Sequence, residues 1–167
     1  MEGTTHILGG AVAGMLCTLI LQSTGMQSVG LVGISIAGSL FPDIDLCSSK
    51  AGSKAKPASF TINALFGHRT LFHSPILYIA LYLLWTHYFP NARTWAVAFA
   101  VGVASHILLD MFNKRGIPLL YPIKKTYHIA SIKTGSAGET VFRAILGVIA
   151  FVGFVFYLSC GSPTFTV

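Results

Sequence analysis

A chain of 167 residues that is 53% hydrophobic and only 10% charged, with a mean hydropathy of +0.71, is too apolar for a soluble globule and reads as an integral membrane protein. Its net charge of +6 and pI near 9.4 point first to cytoplasmic loops facing anionic headgroups. Nucleic acid is the weaker reading, because no recognition helix or aromatic-basic motif accompanies the charge. Cys17, Cys47 and Cys160 have no metal-type spacing, which excludes a disulfide framework and a thiolate metal site.

In chain order, Met1 to His6 lacks the basic start of a secretion signal, so the first apolar run is read as a retained helix. From Gly3 to Pro42 no residue carries a full charge, and polar Gln22-Ser23-Thr24-Gly25 divides the stretch. This predicts a helical hairpin over roughly 6–23 and 27–41. His6, Gly10 and Gly14 recur every fourth residue in the first helix, and Ser35, Ser39 and Asp43 do so in the second. Pro42 in Phe41-Pro42-Asp43-Ile44-Asp45 marks a turn or kink. A mobile loop is expected over about 46–60, then a short interfacial segment, Phe60 to Phe66, and then Gly67-His68-Arg69-Thr70-Leu71-Phe72-His73-Ser74.

A third apolar run covers Pro75 to Phe89, and Pro90 to Arg93 is a tight connection to a fourth. From Thr94 to Phe112 the only charged residue is Asp110. His106 and Asp110 share a helical face, with Asn113 on it too, and Gly102 and Ala98 continue that ridge outward. Small residues let helices approach closely in lipid. A polar loop is expected over about 114–142, and a last apolar run over roughly Ala144 to Cys160. The fold class is therefore all-α: a polytopic helical membrane protein with about five spans in one domain, residues 1–167.

An odd number of spans sorts the charges. Lys50, Lys54, Lys56, Arg69, Lys114, Arg115, Lys124, Lys125, Lys133 and Arg143 fall on one side, and only Arg93 on the other. The positive-inside rule makes the first side cytoplasmic, together with the N-terminus, and leaves the C-terminus outside. His6, Asp43, Asp45, His68, His73, His106 and Asp110 gather on that same side, and they include every Asp of the chain. Four imidazoles and three carboxylates suit Zn²⁺, with Mn²⁺ or Fe²⁺ as alternatives, and are too many for one tetrahedral ion. Two ions with a bridging carboxylate, for which Asp110 is the choice, would use them.

Each residue also has a plainer role. His6 can be interfacial, Asp43 and Asp45 can cap the turn after Pro42, and His106 with Asp110 can be a packing hydrogen bond. His68 and His73 are five apart and share no ideal helical face. Arg69 can clamp a phosphate oxygen or simply anchor the chain at the inner surface. Glu139 can close the site, orient a ligand or begin the last helix. His87, beside Trp85 and Tyr88, reads as an interfacial belt residue, and His128 as part of the basic loop.

These residues resemble a known family. Thr5-His6, Pro42-Asp43-Ile44-Asp45, His68-Arg69 with His73-Ser74, and His106-x-x-Leu109-Asp110-x-x-Asn113-x-x-Gly116 with Pro122 look like the bacterial YdjM-like inner-membrane proteins, described as metal-dependent hydrolases. The likeness covers about residues 3–143. Thr70 and Phe72 depart from the family's usual residues around the histidine pair. The order His, Asp, His, then His-x-x-x-Asp also resembles the soluble zinc-dependent phospholipase C and single-strand nuclease group. That likeness implies His6, Asp45, one of His68 or His73, His106 and Asp110 as direct ligands. Only His128 and Glu139 remain as later candidates, where the soluble group has further ligands.

The function expected is a membrane-embedded hydrolase of a lipid phosphoester, with membrane lipids as both environment and substrate, and with Arg69, Asp110 and Glu139 assisting the chemistry. A homo-oligomer is left open. The rivals are a metal or solute transporter, whose polar groups would be needed near the midplane, and a membrane protein whose metal only staples helices. A metalloprotease ranks below these, since the His-Glu-x-x-His signature is absent.

Overall fold

The computed structural model describes residues 1–45, 71–119, 123 and 125–159. Among these, five α-helices account for the apolar runs: α1 (Gly3–Ile20), α2 (Gly25–Leu40), α3 (Pro75–Tyr88), α4 (Arg93–Met111) and α5 (Ala137–Ser159). Local chemistry sets their ends. α2 ends at Leu40, and the chain runs on through Phe41, still at helical angles, as a 3-10 turn, Phe41–Asp45, Pro42 having no N–H to extend the α-helical ladder. Proline opens α3, where its missing N–H leaves nothing unsatisfied. α5 starts at Ala137, earlier than the sequence indicated, because the Ser136 hydroxyl accepts the Glu139 amide at 3.4 Å. The polar loop is correspondingly shorter. It holds two isolated backbone bridges, Asn113 with Ile132 and Ile117 with Tyr127.

Among the described residues, four helical stretches are long and apolar enough to cross a membrane: Gly3–Ile20, Gly25–Ile44, Pro90–Met111 and Ala137–Ser159. The remaining helix, α3, has 14 residues. At 1.5 Å per residue it spans about 21 Å, less than the ~30 Å of a hydrocarbon core. The sequence count of about five spans thus resolves into four of crossing length and one short helix. The five still alternate in direction, since the start of α1, the end of α2, the turn before α3, the end of α4 and the start of α5 meet at one end of the bundle.

The fourfold ridges read in the sequence pack against one another. Gly10 faces Ser39, Gly14 faces Ser35 and Val32, and Gly102 meets the backbone of Ser35. The Ser35 hydroxyl donates to the Gly10 carbonyl at 2.9 Å. Small residues here bring the backbones of α1, α2 and α4 together, which is how helices associate in lipid without a hydrophobic drive. α5 is peripheral: Val148, Phe151, Phe154 and Leu158 all face outward, as suits a helix surrounded by acyl chains.

Candidate metal centre

Four segments deliver donors to the shared end. His6 comes from the first turns of α1, Asp43 from the 3-10 turn after α2, His73 from a second 3-10 turn, Leu71–His73, and His106 with Asp110 from the last turns of α4. The His73 turn is tied down on both sides. The Tyr78 hydroxyl donates to the Phe72 carbonyl at 2.6 Å, and the Ser74 hydroxyl donates to Leu119 at 3.4 Å.

The donors form two overlapping groups, His6–His106–Asp110 and Asp43–His73–His106, all buried. His106 Nδ1 lies 2.7 Å from the Ser39 carbonyl. That contact fixes the proton on Nδ1 and leaves the lone pair of Nε2 facing the cluster, the usual arrangement of a metal-binding imidazole. His106 Nε2 is 3.4 Å from His73 Nε2. It is 3.9 Å from both Asp43 Oδ1 and Asp110 Oδ2, while His73 Nε2 is 3.8 Å from each of the same two oxygens. A tetrahedral ion with bonds of about 2.0–2.2 Å holds its ligand atoms roughly 3.3–3.6 Å apart. The observed separations come within a few tenths of an ångström of that cage.

Asp110 belongs to the His6 group and also faces His73. Its Oδ1 is 3.4 Å from His6 Nε2 and is also ion-paired with the Met1 amino group, while Oδ2 faces His73 and His106. One carboxylate therefore spans both groups, as a bridging ligand does. His6 stacks on His106 with ring centroids 3.9 Å apart. Nε2 of His6 has only the long contact with Asp110 Oδ1, and Nδ1 has no hydrogen-bond partner among the described residues, although the residue is fully buried. An unsatisfied buried polar group costs about 1–3 kcal/mol, and coordination of a cation would remove that cost. The donor set and spacing fit a divalent ion such as Zn²⁺.

Of the residues singled out in the sequence, His6, Asp43, His73, His106 and Asp110 come together. His68 and Arg69 lie outside the described residues, as does the expected mobile loop, and Asp45 is placed only by its backbone, in the 3-10 turn. Asn113 turns away from the helical face assigned to it, because α4 ends at Met111. Its side chain donates to Thr134 Oγ1 at 2.6 Å and accepts from the Arg115 amide at 3.1 Å. His87 and His128 are exposed and belong to neither group.

Glu139 is buried but stands outside both groups. Its carboxylate accepts from the Glu2 amide at 2.6 Å, the Thr5 hydroxyl at 3.0 Å and the Gly135 amide at 2.7 Å. It clamps the start of α1 one residue from His6. Glu139→Ala strands these donors and is expected to destabilise the protein by about 3 kcal/mol, lowering metal affinity with it. Arg143→Ala, which breaks a half-exposed pair with Glu2, is expected to cost under about 1 kcal/mol. Thermal unfolding in detergent with a parallel metal titration checks both. Sequence reasoning missed the Ser39 carbonyl and the Met1 amino group. Neither is a side chain, so no residue type announced them.

No solved structure matches this chain. Protein YvsG of Bacillus subtilis (strain 168), itself uncharacterised, is 32% identical over 145 residues, 86% of this chain and 88% of its own length. Inner membrane protein YdjM of Escherichia coli (strain K12) is 34% identical over 105 residues, 59% of this chain and 53% of its own, and the Shigella flexneri protein of that name matches equally. The chain thus spans about half the length of these two relatives. None of these matches extends to the soluble phospholipase C group. The sequence model of one family runs over residues 1–163, through every donor of the buried cluster, and the chain belongs to that family, the YdjM inner membrane proteins.

Proposed function

We propose that the protein is a metal-dependent hydrolase of the inner membrane that cleaves a phosphoester in a phospholipid or related lipid-linked substrate. One observation carries the reading: five buried nitrogen and oxygen donors from four separate segments converge at one end of a bundle of membrane-crossing helices. Buried ionisable groups at that depth are costly and are retained for function. Asp43, His73, His106 and Asp110 would hold one ion, and His6 with the other oxygen of Asp110 would contribute to a second. Zn²⁺ is the first choice, with Mn²⁺ or Fe²⁺ as alternatives. Such ions supply Lewis acidity toward a phosphoryl oxygen and lower the pKa of water to near neutrality.

The chain's own residues do the rest. The Ser39 carbonyl fixes the tautomer of His106, and Glu139 anchors the turn that carries His6. Asp110 joins the two groups, and burial excludes bulk water, which strengthens every charge interaction inside. Arg69 supplies a guanidinium for a substrate phosphate oxygen. The excess of Lys and Arg in the segments at this end supports a cytoplasmic site, level with the headgroups of the inner leaflet, and a C-terminus on the other side.

The test is purified protein reconstituted with Zn²⁺ or Mn²⁺ and presented with headgroup-labelled phospholipids, the metal being quantified by elemental analysis. Bound metal with release of labelled headgroup or phosphate is the expected result. Bound metal with no turnover of any lipid phosphoester would overturn the hydrolase reading and leave a helix staple. Chelation gives a second check. At a hundredfold excess over its dissociation constant a bound ion contributes about 2.7 kcal/mol. Its removal is expected to lower the melting temperature by about 5–10 °C for a chain of this size, reversibly on adding metal back.

A further inference from the structure

The three ridged helices α1, α2 and α4 are tightly interlocked, but the seam between α3 and α4 is not. On the side of α4 and the turn before it, Ala92, Ala96 and Ala100 recur at every fourth position, with Phe99 beside them; on the α3 side the wall is aromatic, with Tyr78, Tyr82 and Trp85. Large rings opposite alanines leave a cleft instead of a closed contact. It has a volume of about 720 Å³, within the roughly 300–1,000 Å³ of ligand-binding cavities.

Its position gives the cleft a meaning. One end is formed by Phe41 and Tyr78, whose rings meet edge-on at 6.4 Å. Phe41 is two residues from Asp43, and the Tyr78 hydroxyl is bonded to the carbonyl just before His73. The cleft therefore begins where two of the metal-centre donors end. Asp43 is also the most exposed of the five donors, at 9% against 0% for the other four, so the approach to the centre is from the Phe41 side. The far end is formed by Tyr88 and Phe89. The lining is mainly apolar and aromatic, with the polar atoms of Tyr82, Trp85 and Tyr88 at the ring edges, and the Tyr78 hydroxyl at its mouth is already engaged. It offers no charged side chain to a charged occupant.

We infer that this cleft seats one acyl chain of the substrate, which enters sideways from the bilayer between α3 and α4 with its phosphoester at Asp43 and His73. The inference rests on the lipid-hydrolase reading and narrows it to substrates carrying a long hydrocarbon chain. The cleft follows α3, about 21 Å at 1.5 Å per residue. That is enough to take a chain through the ~15 Å of hydrocarbon belonging to one leaflet of a 30 Å core. Moving a chain from lipid into this cleft brings little hydrophobic gain, since lipid tails are equally apolar. What the cleft contributes is orientation of the ester relative to the donors.

Two measurements separate this inference from the reading beneath it. In detergent micelles, a few equivalents of phospholipid with brominated acyl chains are added to protein whose only tryptophan is Trp85 (Trp95→Phe), and separately to protein whose only tryptophan is Trp95 (Trp85→Phe). Trp85 lines the cleft, whereas Trp95 packs on Gly30 of α2. Stronger quenching of Trp85, lost when Ala100→Phe or the milder Ala100→Leu fills the cleft, is the expected result. Equal quenching of the two overturns the inference whether or not the protein turns over. In the kinetic arm, Ala100→Phe with unchanged metal content is expected to lower turnover of long-chain phospholipid about tenfold relative to a short-chain ester of the same headgroup. An unchanged ratio also overturns it. Strong Trp85 quenching with no hydrolysis of either ester would sink the hydrolase reading and leave the lipid seat standing.

Discussion

Replacing His106 by alanine is expected to remove bound metal altogether. His106 is the donor common to both groups, so whichever group holds the ion loses a ligand, whereas His6→Ala or His73→Ala leaves one group intact. Losing a hydrogen bond that merely supports a ligand costs about 10–100-fold in affinity. Loss of the shared ligand should exceed the upper end of that range, with lipid-phosphoester hydrolysis falling in parallel. Elemental analysis reads the first effect and headgroup release the second. Retention of a full equivalent of metal by His106→Ala would overturn the shared-ligand geometry. His128→Ala is the control: that imidazole is exposed in the polar loop and should change neither quantity.

The second large effect is expected far from the donors, at Gly102. A Cβ there would overlap the Ser35 backbone, which cannot yield as a flexible side chain can. Gly102→Ala must push α2 and α4 apart at their closest approach. Overpacking of this kind costs about 1–3 kcal/mol or more. The strain has a direction, because α2 carries Asp43 and the Ser39 carbonyl while α4 carries His106 and Asp110. The variant should therefore lose metal affinity as well as thermal stability, though it touches no ligand. Gly33 offers the comparison, since it has open space around its Cβ position. Gly33→Ala should be neutral or stabilise α2 by about 0.5–1 kcal/mol through helix propensity. Melting curves and metal titrations of the two variants, side by side, check the pair.

Much of this was legible in the residues themselves. Fourfold recurrence of small side chains, His6-Gly10-Gly14 and Ala98-Gly102-His106, marks a helix face wherever it occurs, and those faces are the ones that interlock. The meeting of His6, Asp43, His73, His106 and Asp110 at one end followed from counting passes, because alternation of direction is set by the number of apolar runs. What spacing did not reveal was anything that depends on a partner from elsewhere in the chain. Glu139 looked equally suited to three roles, and only the positions of the Glu2 amide and the Thr5 hydroxyl decide among them. Asn113 was assigned to the ligand face by extending α4 too far, when Gly116 with φ of +61° and the Asn113 bridge to Ile132 turn the chain aside. The bounds of α3 were legible to within a residue, Pro75 to Phe89 against Pro75–Tyr88, but an apolar run says what a segment tolerates and not how deeply it reaches.

The spread of the donors along the chain has a consequence for biogenesis. The first hairpin to leave the ribosome brings His6 and Asp43 but neither His73 nor the His106–Asp110 pair, so neither donor group is complete in it. On the proposed reading, loading waits until the fourth helix has been inserted, and the start of the first helix is pinned only when Glu139 arrives with the fifth. The newborn protein therefore passes through an interval in the bilayer with all its helical frame nearly complete and its centre still unfilled.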